Sequence, residues 1–116
     1  MNTVLYCRRF PETVAFYEQM LGLTRSYSND WFVEFQVAPG AFLSVADERR
    51  ASVKTASGAG ITLTLRVEDA RALHALLQTR GGDPPPVGAR PWGAEGFLLH
   101  DPEGTRLEIW SPRRAP

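Results

Sequence analysis

The residues of this chain that could do chemistry are concentrated near its C-terminal end, where charged and aromatic side chains alternate with aliphatic ones. Arg106, Glu108 and Trp110 alternate there with Leu107 and Ile109. Because successive side chains of a strand point to opposite faces, the aliphatic pair predicts a core-facing side and the other three residues a polar side. A guanidinium, a carboxylate and an indole on one face could bind a small organic molecule, and the carboxylate could act as a general base.

The sequence offers little for thiol or imidazole chemistry. Cys7 is the only cysteine, so neither an internal disulfide nor a thiolate zinc cluster can form. Alternation places Cys7 on the core-facing side of a strand, and we interpret it as a small core residue. His74 is expected to be solvated on the flank of a helix. His100 lies at a strand end before a turn, where we do not expect it to contact ligand.

Composition limits the functional classes. The chain has 116 residues, 43% of them apolar and 22% charged, which is typical of one soluble globular domain. Thirteen basic residues balance thirteen acidic ones, so no net charge favours nucleic acid or a membrane surface as a partner. We find no signal-peptide core and no membrane-spanning stretch, and we therefore expect a cytoplasmic protein.

Hydrophobic periodicity predicts the elements that must position these side chains. The clearest strand is the one in which Ile61, Leu63 and Leu65 alternate with Thr62 and Thr64. The predicted elements are strands over 2–7, 24–28, 31–37, 41–46, 61–67, 96–100 and 105–110, helices from Pro11 to Gly22 and from Asp69 to Gly81, and an extended edge segment over 84–90.

The chain contains an internal repeat. Residues 35–45 overlay residues 99–109, and both turn glycines and both buried aliphatic pairs coincide in the overlay. Each half therefore predicts a strand, a helix and three further strands, over about 1–47 and about 60–112 of a single domain spanning 1–116. The polar loop over 47–60 is interpreted as a joint between the two modules, with a lid over a site as the alternative.

Two motifs on top of this repeat give the chain a family resemblance. They are the helix and stop Phe-Tyr-Glu-Gln-Met-Leu-Gly-Leu over 16–23, and Pro91-Trp92-Gly93 followed by Phe97, Asp-Pro-Glu-Gly over 101–104 and Leu-Glu-Ile over 107–109. With them the chain resembles the vicinal oxygen chelate superfamily, which includes glyoxalases, bleomycin-resistance proteins and extradiol dioxygenases. The resemblance implies an α+β fold in which two βαβββ modules form an open cup with helices on its outer face.

The resemblance also implies four positions at which metal-dependent members hold a metal. Carried over by strand register, these positions are Asn2, Ser44, Thr62 and Glu108, where family enzymes usually supply His, Glu or Gln. Only Glu108 keeps such a ligand, and an amide with two hydroxyls is a poor complement for a divalent first-row metal. We therefore expect no metal and no other cofactor. An atypical site for Zn, Ni, Fe or Mn is the alternative.

The register opposite the core lines the implied cup and supplies the candidate site. Its charges could instead be ion pairs, Arg66 with Glu108 and Arg106 with Glu34, that only neutralise each other. Phe32 and Trp110 could pack against a partner subunit. The expected ligand-binding residues are Tyr6, Phe32, Glu34, Phe42, Thr62, Thr64, Arg66, Trp92, Arg106 and Trp110.

Three functions follow from this candidate site. The first is a metal-independent, homodimeric binder of the bleomycin-resistance type, which sequesters an aromatic or cationic small molecule in the cup. The second is a glyoxalase-like lyase, isomerase or dioxygenase, with Glu108 as its catalytic base or as part of the atypical metal site. The third is a non-catalytic domain with a protein partner. A shared fold does not decide among them.

Overall fold

The structure is a computed structural model that describes residues 1–113, so the last three residues of the predicted domain lie outside the described part. Its helices are α1 (Phe10–Ala15), extended by a π-helical turn (Phe16–Met20), and α2 (Ala70–Thr79), with 3-10 turns at Glu48–Arg50 and Pro91–Gly93. Its strands are β1 (Asn2–Cys7), β2 (Thr24–Ser28), β3 (Phe32–Ala38), β4 (Ala41–Asp47), β5 (Thr62–Arg66), β6 (Gly88–Arg90), β7 (Ala94–His100) and β8 (Arg106–Pro112).

The strands form two four-stranded mixed sheets with the same topology. The first sheet has the order β1-β4-β3-β2 and the second the order β5-β8-β7-β6. In each sheet the first and last strands of the module pair in parallel, and the other pairs are antiparallel. The predicted α+β class and the repeated βαβββ order are confirmed.

The predicted alternation also sets the core. Val33 and Phe35 of β3 and Leu107 and Ile109 of β8 are almost fully buried in one apolar cluster that draws on both sheets. Cys7 joins this cluster with no exposed surface, as predicted. Burial of the aliphatic and aromatic side chains of this cluster is the main stabilising contribution in a domain of this size.

The structure corrects several predicted elements. The first helix is α-helical only as far as Ala15 and then widens, because the Leu21 N–H donates to the Phe16 carbonyl, five residues back, at 3.1 Å. Trp31 was predicted to begin a strand, but β3 begins one residue later. Within residues 1–113, no helix is both long and apolar enough to span a membrane.

The Asp-Pro-Glu-Gly turn between β7 and β8 joins the two modules. The Tyr17 hydroxyl of the first module donates to Asp101 Oδ2 at 2.6 Å, and both groups are buried. The backbone N–H groups of Arg8 and Arg9 donate to the Glu103 carboxylate at 3.0 and 2.8 Å, and the Thr55 hydroxyl also donates to it. The loop over 47–60 is thus fastened to the second module.

Cys7 should make the free energy of unfolding depend on pH in the alkaline range. Burial, with the nearby Glu103 carboxylate, raises the pKa of its thiol from 9.0 to about 12. A folded-state pKa above the unfolded value stabilises the fold fully below about pH 9 and progressively less as pH rises toward 12. The free energy of unfolding of the wild type should therefore fall between about pH 8 and about pH 10.5. In Cys7→Ala we expect this fall to be smaller by about 2 kcal/mol.

Urea unfolding at the two pH values measures this decrease. Part of it should persist in the variant, because burial and the Asp101 carboxylate also raise the pKa of the Tyr17 phenol. An equal decrease in wild type and Cys7→Ala would show that the thiol has no part in it.

Candidate functional site

A cavity of about 360 Å³ lies on the polar face of the second sheet. Small-molecule sites are typically concave and apolar, with a few placed polar groups, and this cavity has that character. Strands β5 and β8 form its floor, and the turn between β6 and β7 forms its rim. Its lining residues are Thr64, Arg90, Pro91, Trp92, Ala94, Glu108 and Trp110.

The charged group in this cavity is an ion pair. Arg90 Nε lies 3.3 Å from Glu108 Oε2, and each side chain is a little under one third exposed. Nε is nevertheless buried without a hydrogen-bond partner among residues 1–113, so the pair is a close contact of opposite charges rather than an aligned hydrogen bond. Thr64 lies opposite Glu108 in the β5–β8 register and places a hydroxyl beside the pair.

Trp92 lies at the mouth of the cavity in an unusual conformation. Its backbone is left-handed, with φ 60° and ψ 35°, and its side chain is fully exposed. The turn is held on both sides, because Ala94 pairs with Pro112 and the Arg113 N–H donates to the Gly93 carbonyl at 2.7 Å. Left-handed backbone is strained for a bulky side chain and persists where its surroundings impose it, often at ligand sites.

Trp110 forms the opposite aromatic wall. It is partly buried on β8, and Arg66 lies across from it in the β5–β8 register. The Arg66 guanidinium carbon is 5.4 Å from the ring centroid of Trp110, which is a cation–π distance. The indole ring at the cavity wall therefore already has a positive charge against it.

The other predicted ligand-binding residues lie away from this cavity. Glu34 accepts hydrogen bonds on the first sheet from Asn2 at 3.2 Å and from Ser26 at 2.8 Å. Tyr6 lines a separate cavity of about 180 Å³ against the loop over 47–60. The remaining four are Phe32 and Phe42 on the first sheet, and Thr62 with its register partner Arg106 at the start of β8.

The sequence left two ion pairs open as alternatives, and the structure pairs these charges differently. Glu108 pairs with Arg90 and not with Arg66, whose guanidinium stacks on Trp110 instead. Glu34 is held by neutral donors of its own sheet and not by Arg106, which belongs to the other sheet.

The expectation that His74 is solvated was wrong. It is partly buried, and its Nε2 lies 2.9 Å from the Pro85 carbonyl oxygen. Its ring packs edge-on against Phe97 at a centroid distance of 5.1 Å. His74 is therefore a residue of α2 that packs against the second sheet rather than a solvated one, whereas His100 is exposed at its strand end.

Arg90, Pro91 and Ala94 line the cavity but were not among the residues predicted from the sequence. Arg90 ends the short strand β6, which follows a run of prolines and carries no apolar alternation of its own. The available signal was its position directly before Pro91-Trp92-Gly93, since a residue next to a rim turn shares the environment of that turn.

The four family metal positions do not make a suitable site in this chain. Ser44 Oγ donates to Asn2 Oδ1 at 2.8 Å and Asn2 Nδ2 donates to Glu34, so these groups satisfy each other. Glu108 lies against Arg90, and Thr62 adds only a hydroxyl. The described residues contain no group of three or more His, Cys, Asp or Glu side chains arranged to hold a metal ion. This donor set does not fit a divalent first-row metal.

Solved structures with the same fold are numerous, and three show their range. A lactoylglutathione lyase from Agrobacterium tumefaciens is 18% identical with a TM-score of 0.75, covering 96% of this chain and 91% of that one. The antibiotic-binding protein TnmS3 from a Streptomyces species is 21% identical with a TM-score of 0.73, covering 96% and 93%. A bleomycin resistance determinant encoded on the transposon Tn5 is 20% identical with a TM-score of 0.73, covering 98% of both.

Likeness at this level of identity establishes the fold and leaves the activity open. Among curated proteins, none matches this sequence significantly. The family model of the glyoxalase-like domain, in contrast, matches residues 2–110, almost the whole length described above. The chain therefore belongs to the glyoxalase-like domain family, within the superfamily that its two motifs and its repeat resemble.

Proposed function

We propose that this protein binds a small organic molecule in the cavity between Trp92 and Trp110, without a metal, and that it sequesters this molecule rather than transforming it. The observation that carries the proposal is a concave site whose walls are mainly apolar and whose floor holds one ion pair, Arg90 with Glu108. Flat aromatic walls with few polar groups favour binding of a flat organic molecule by burial and stacking.

Glu108 is poorly placed to act as a general base. A base must reach the proton that it removes, at hydrogen-bond distance from the substrate. One of its carboxylate oxygens instead faces Arg90 at 3.3 Å, and the described residues offer no second acid or base within the cavity lining. Binding alone needs neither a free base nor a metal, and we therefore favour it over glyoxalase-like catalysis.

Two of the structurally similar proteins are named for such roles, one as an antibiotic-binding protein and one as a bleomycin resistance determinant. We extend this role to the present chain, as sequestration of a drug or metabolite. We also propose a homodimer, which the resemblance to the bleomycin-resistance type implies. Sedimentation velocity at micromolar concentration tests the dimer, and a single monomer species would contradict it.

Trp92→Ala should weaken binding by about ten-fold or more without lowering the melting temperature. The indole is fully exposed, so its removal deletes a stacking surface and opens no core cavity. A thermal-shift screen of drug-like aromatics and small organic acids identifies binders, and titration of the hits compares the variant with wild type. Trp31→Ala, an aromatic deletion directly before β3 in the first module, is the control and should leave binding unchanged.

The same preparations test the metal and the enzyme alternatives. Stoichiometric Zn, Ni, Fe or Mn in purified protein that is lost in Glu108→Gln would contradict the metal-free proposal. Turnover of a bound hit that is lost in Glu108→Gln would replace sequestration with catalysis. A screen without hits, together with unchanged behaviour of Trp92→Ala, would remove the basis for a binding cavity.

A further inference from the structure

We infer that this cavity selects planar aromatic anions, with Arg90 and Arg66 supplying the positive charge and Trp92 and Trp110 the stacking surfaces. The inference rests on the proposed function and specifies its ligand class. It departs from the expectation of a cationic ligand, because the structure shows which charges the protein itself places at the site.

The charges around the cavity sum to a positive value. Glu108 is the acidic side chain of the lining, and Arg90 neutralises it at 3.3 Å. Arg66 adds a second guanidinium, exposed to solvent on the neighbouring strand and set over Trp110. Counted together, the carboxylate of Glu108 and the guanidinium groups of Arg90 and Arg66 carry one net positive charge.

Two features at the cavity floor and wall that would attract a cation are already engaged by the protein. A ligand cation is drawn to a carboxylate and to the face of an indole ring. Here Arg90 lies against the Glu108 carboxylate, and Arg66 lies over the Trp110 ring. A cationic ligand would have to displace a guanidinium from one of these positions and would still be repelled by the other.

An anion meets complementary partners in the same place. Arg90 lines the cavity, and its Nε faces one carboxylate oxygen of Glu108. The other N–H groups of the guanidinium can therefore donate to a ligand carboxylate. A planar guanidinium suits a planar carboxylate, because it can donate two parallel hydrogen bonds. Thr64 places a hydroxyl at the floor that can donate a further hydrogen bond. The apolar walls formed with Pro91 and Ala94 then accept the aromatic body of the ligand.

Three probes of the same shape test the inference, namely 2-naphthoate, 2-naphthamide and 2-naphthylmethylammonium, titrated calorimetrically into the wild-type protein. We expect 2-naphthoate to bind about ten-fold more tightly than 2-naphthamide, and the ammonium probe to bind most weakly. Arg66→Gln should reduce the preference for naphthoate over naphthamide by about three-fold, a modest effect because Arg66 is exposed. Glu108→Gln should strengthen naphthoate binding, because it releases Arg90.

Arg50→Gln is the matched control, since this exposed arginine lies in the loop between the modules, and it should leave the preference unchanged. Naphthamide or the ammonium probe binding as tightly as naphthoate, with all three weakened by Trp92→Ala, would overturn the inference and leave the proposed function standing. Absence of binding by all three probes would overturn the inference, whereas the proposed function is overturned only by a thermal-shift screen without hits.

Discussion

Tyr17→Phe should lower the free energy of unfolding by about 2 kcal/mol, although it removes one oxygen atom far from the cavity. The Tyr17 hydroxyl donates at 2.6 Å to Asp101, and both side chains are at least nine-tenths buried. Without this donor, Asp101 Oδ2 becomes a buried carboxylate oxygen that has lost its partner, and hydrogen bonds to charged groups contribute more than neutral ones. The melting temperature should fall by about 10 °C.

Urea unfolding of wild type and variant measures the difference from the two midpoints at equal slope. Tyr27→Phe is the matched control, because it deletes the same hydroxyl from a tyrosine that is about half exposed. We expect the control to remain within about 0.5 kcal/mol of wild type. If the two variants were equally stable, the contact between Tyr17 and Asp101 would not be what joins the modules.

Glu103 in the same turn should make the stability of the contact between the modules depend on pH in the acidic range. Burial alone would raise the pKa of its carboxyl group, but hydrogen bonds from Thr55 and from the Arg8 and Arg9 backbone hold it below the ordinary value of 4.5. A lowered folded-state pKa stabilises the fold above about pH 4.5, and this contribution is lost as pH falls below that value. The turn, which belongs to one of the two family motifs, is thus also a contact between the modules.

Much of the fold could be predicted because the alternation of side chains in each strand indicates which face is buried. Leu107 and Ile109 alternate with Glu108 and Trp110, and only one register buries the aliphatic pair. The repeat then transfers this register from one module to the other, which is why the βαβββ element order and the core-facing side of β8 agree with expectation. The local sequence pattern was therefore sufficient to predict those strands whose orientation is set by burial of apolar side chains.

The composition of the site could not be predicted in the same way, because it depends on which strands become neighbours. The implied cup gathered residues from both modules, yet the cavity is built on the second sheet and its rim turn. Glu108 and Arg90 are 18 positions apart and meet only because β6 joins the sheet through β7. Nothing in the proline-rich approach to β6 marks Arg90 as the partner.

Gly96→Ala should cause the largest loss among the single substitutions discussed here, about 3 kcal/mol or more, and should also disrupt the cavity. Gly96 lies opposite Trp110 in the β7–β8 pairing. A Cβ at this position would lie 2.1 Å from the Ile109 carbonyl oxygen and 3.0 Å from Trp110 Cα, so the backbone of β8 would have to move. Backbone in a paired central strand cannot give way as the end of a flexible side chain does.

The adjacent strand supplies a matched control for this substitution. Gly88 is the register partner of Gly96 on β6, and a Cβ at Gly88 would have no heavy atom within 4 Å. Gly88→Ala should therefore leave stability unchanged or raise it slightly, by restricting the unfolded chain. Thermal unfolding of the two variants, with naphthoate titration of whatever remains folded, compares them directly. If Gly96→Ala were as stable as Gly88→Ala and bound equally well, the close packing of β7 on β8 would not be what positions Trp110 in the cavity wall.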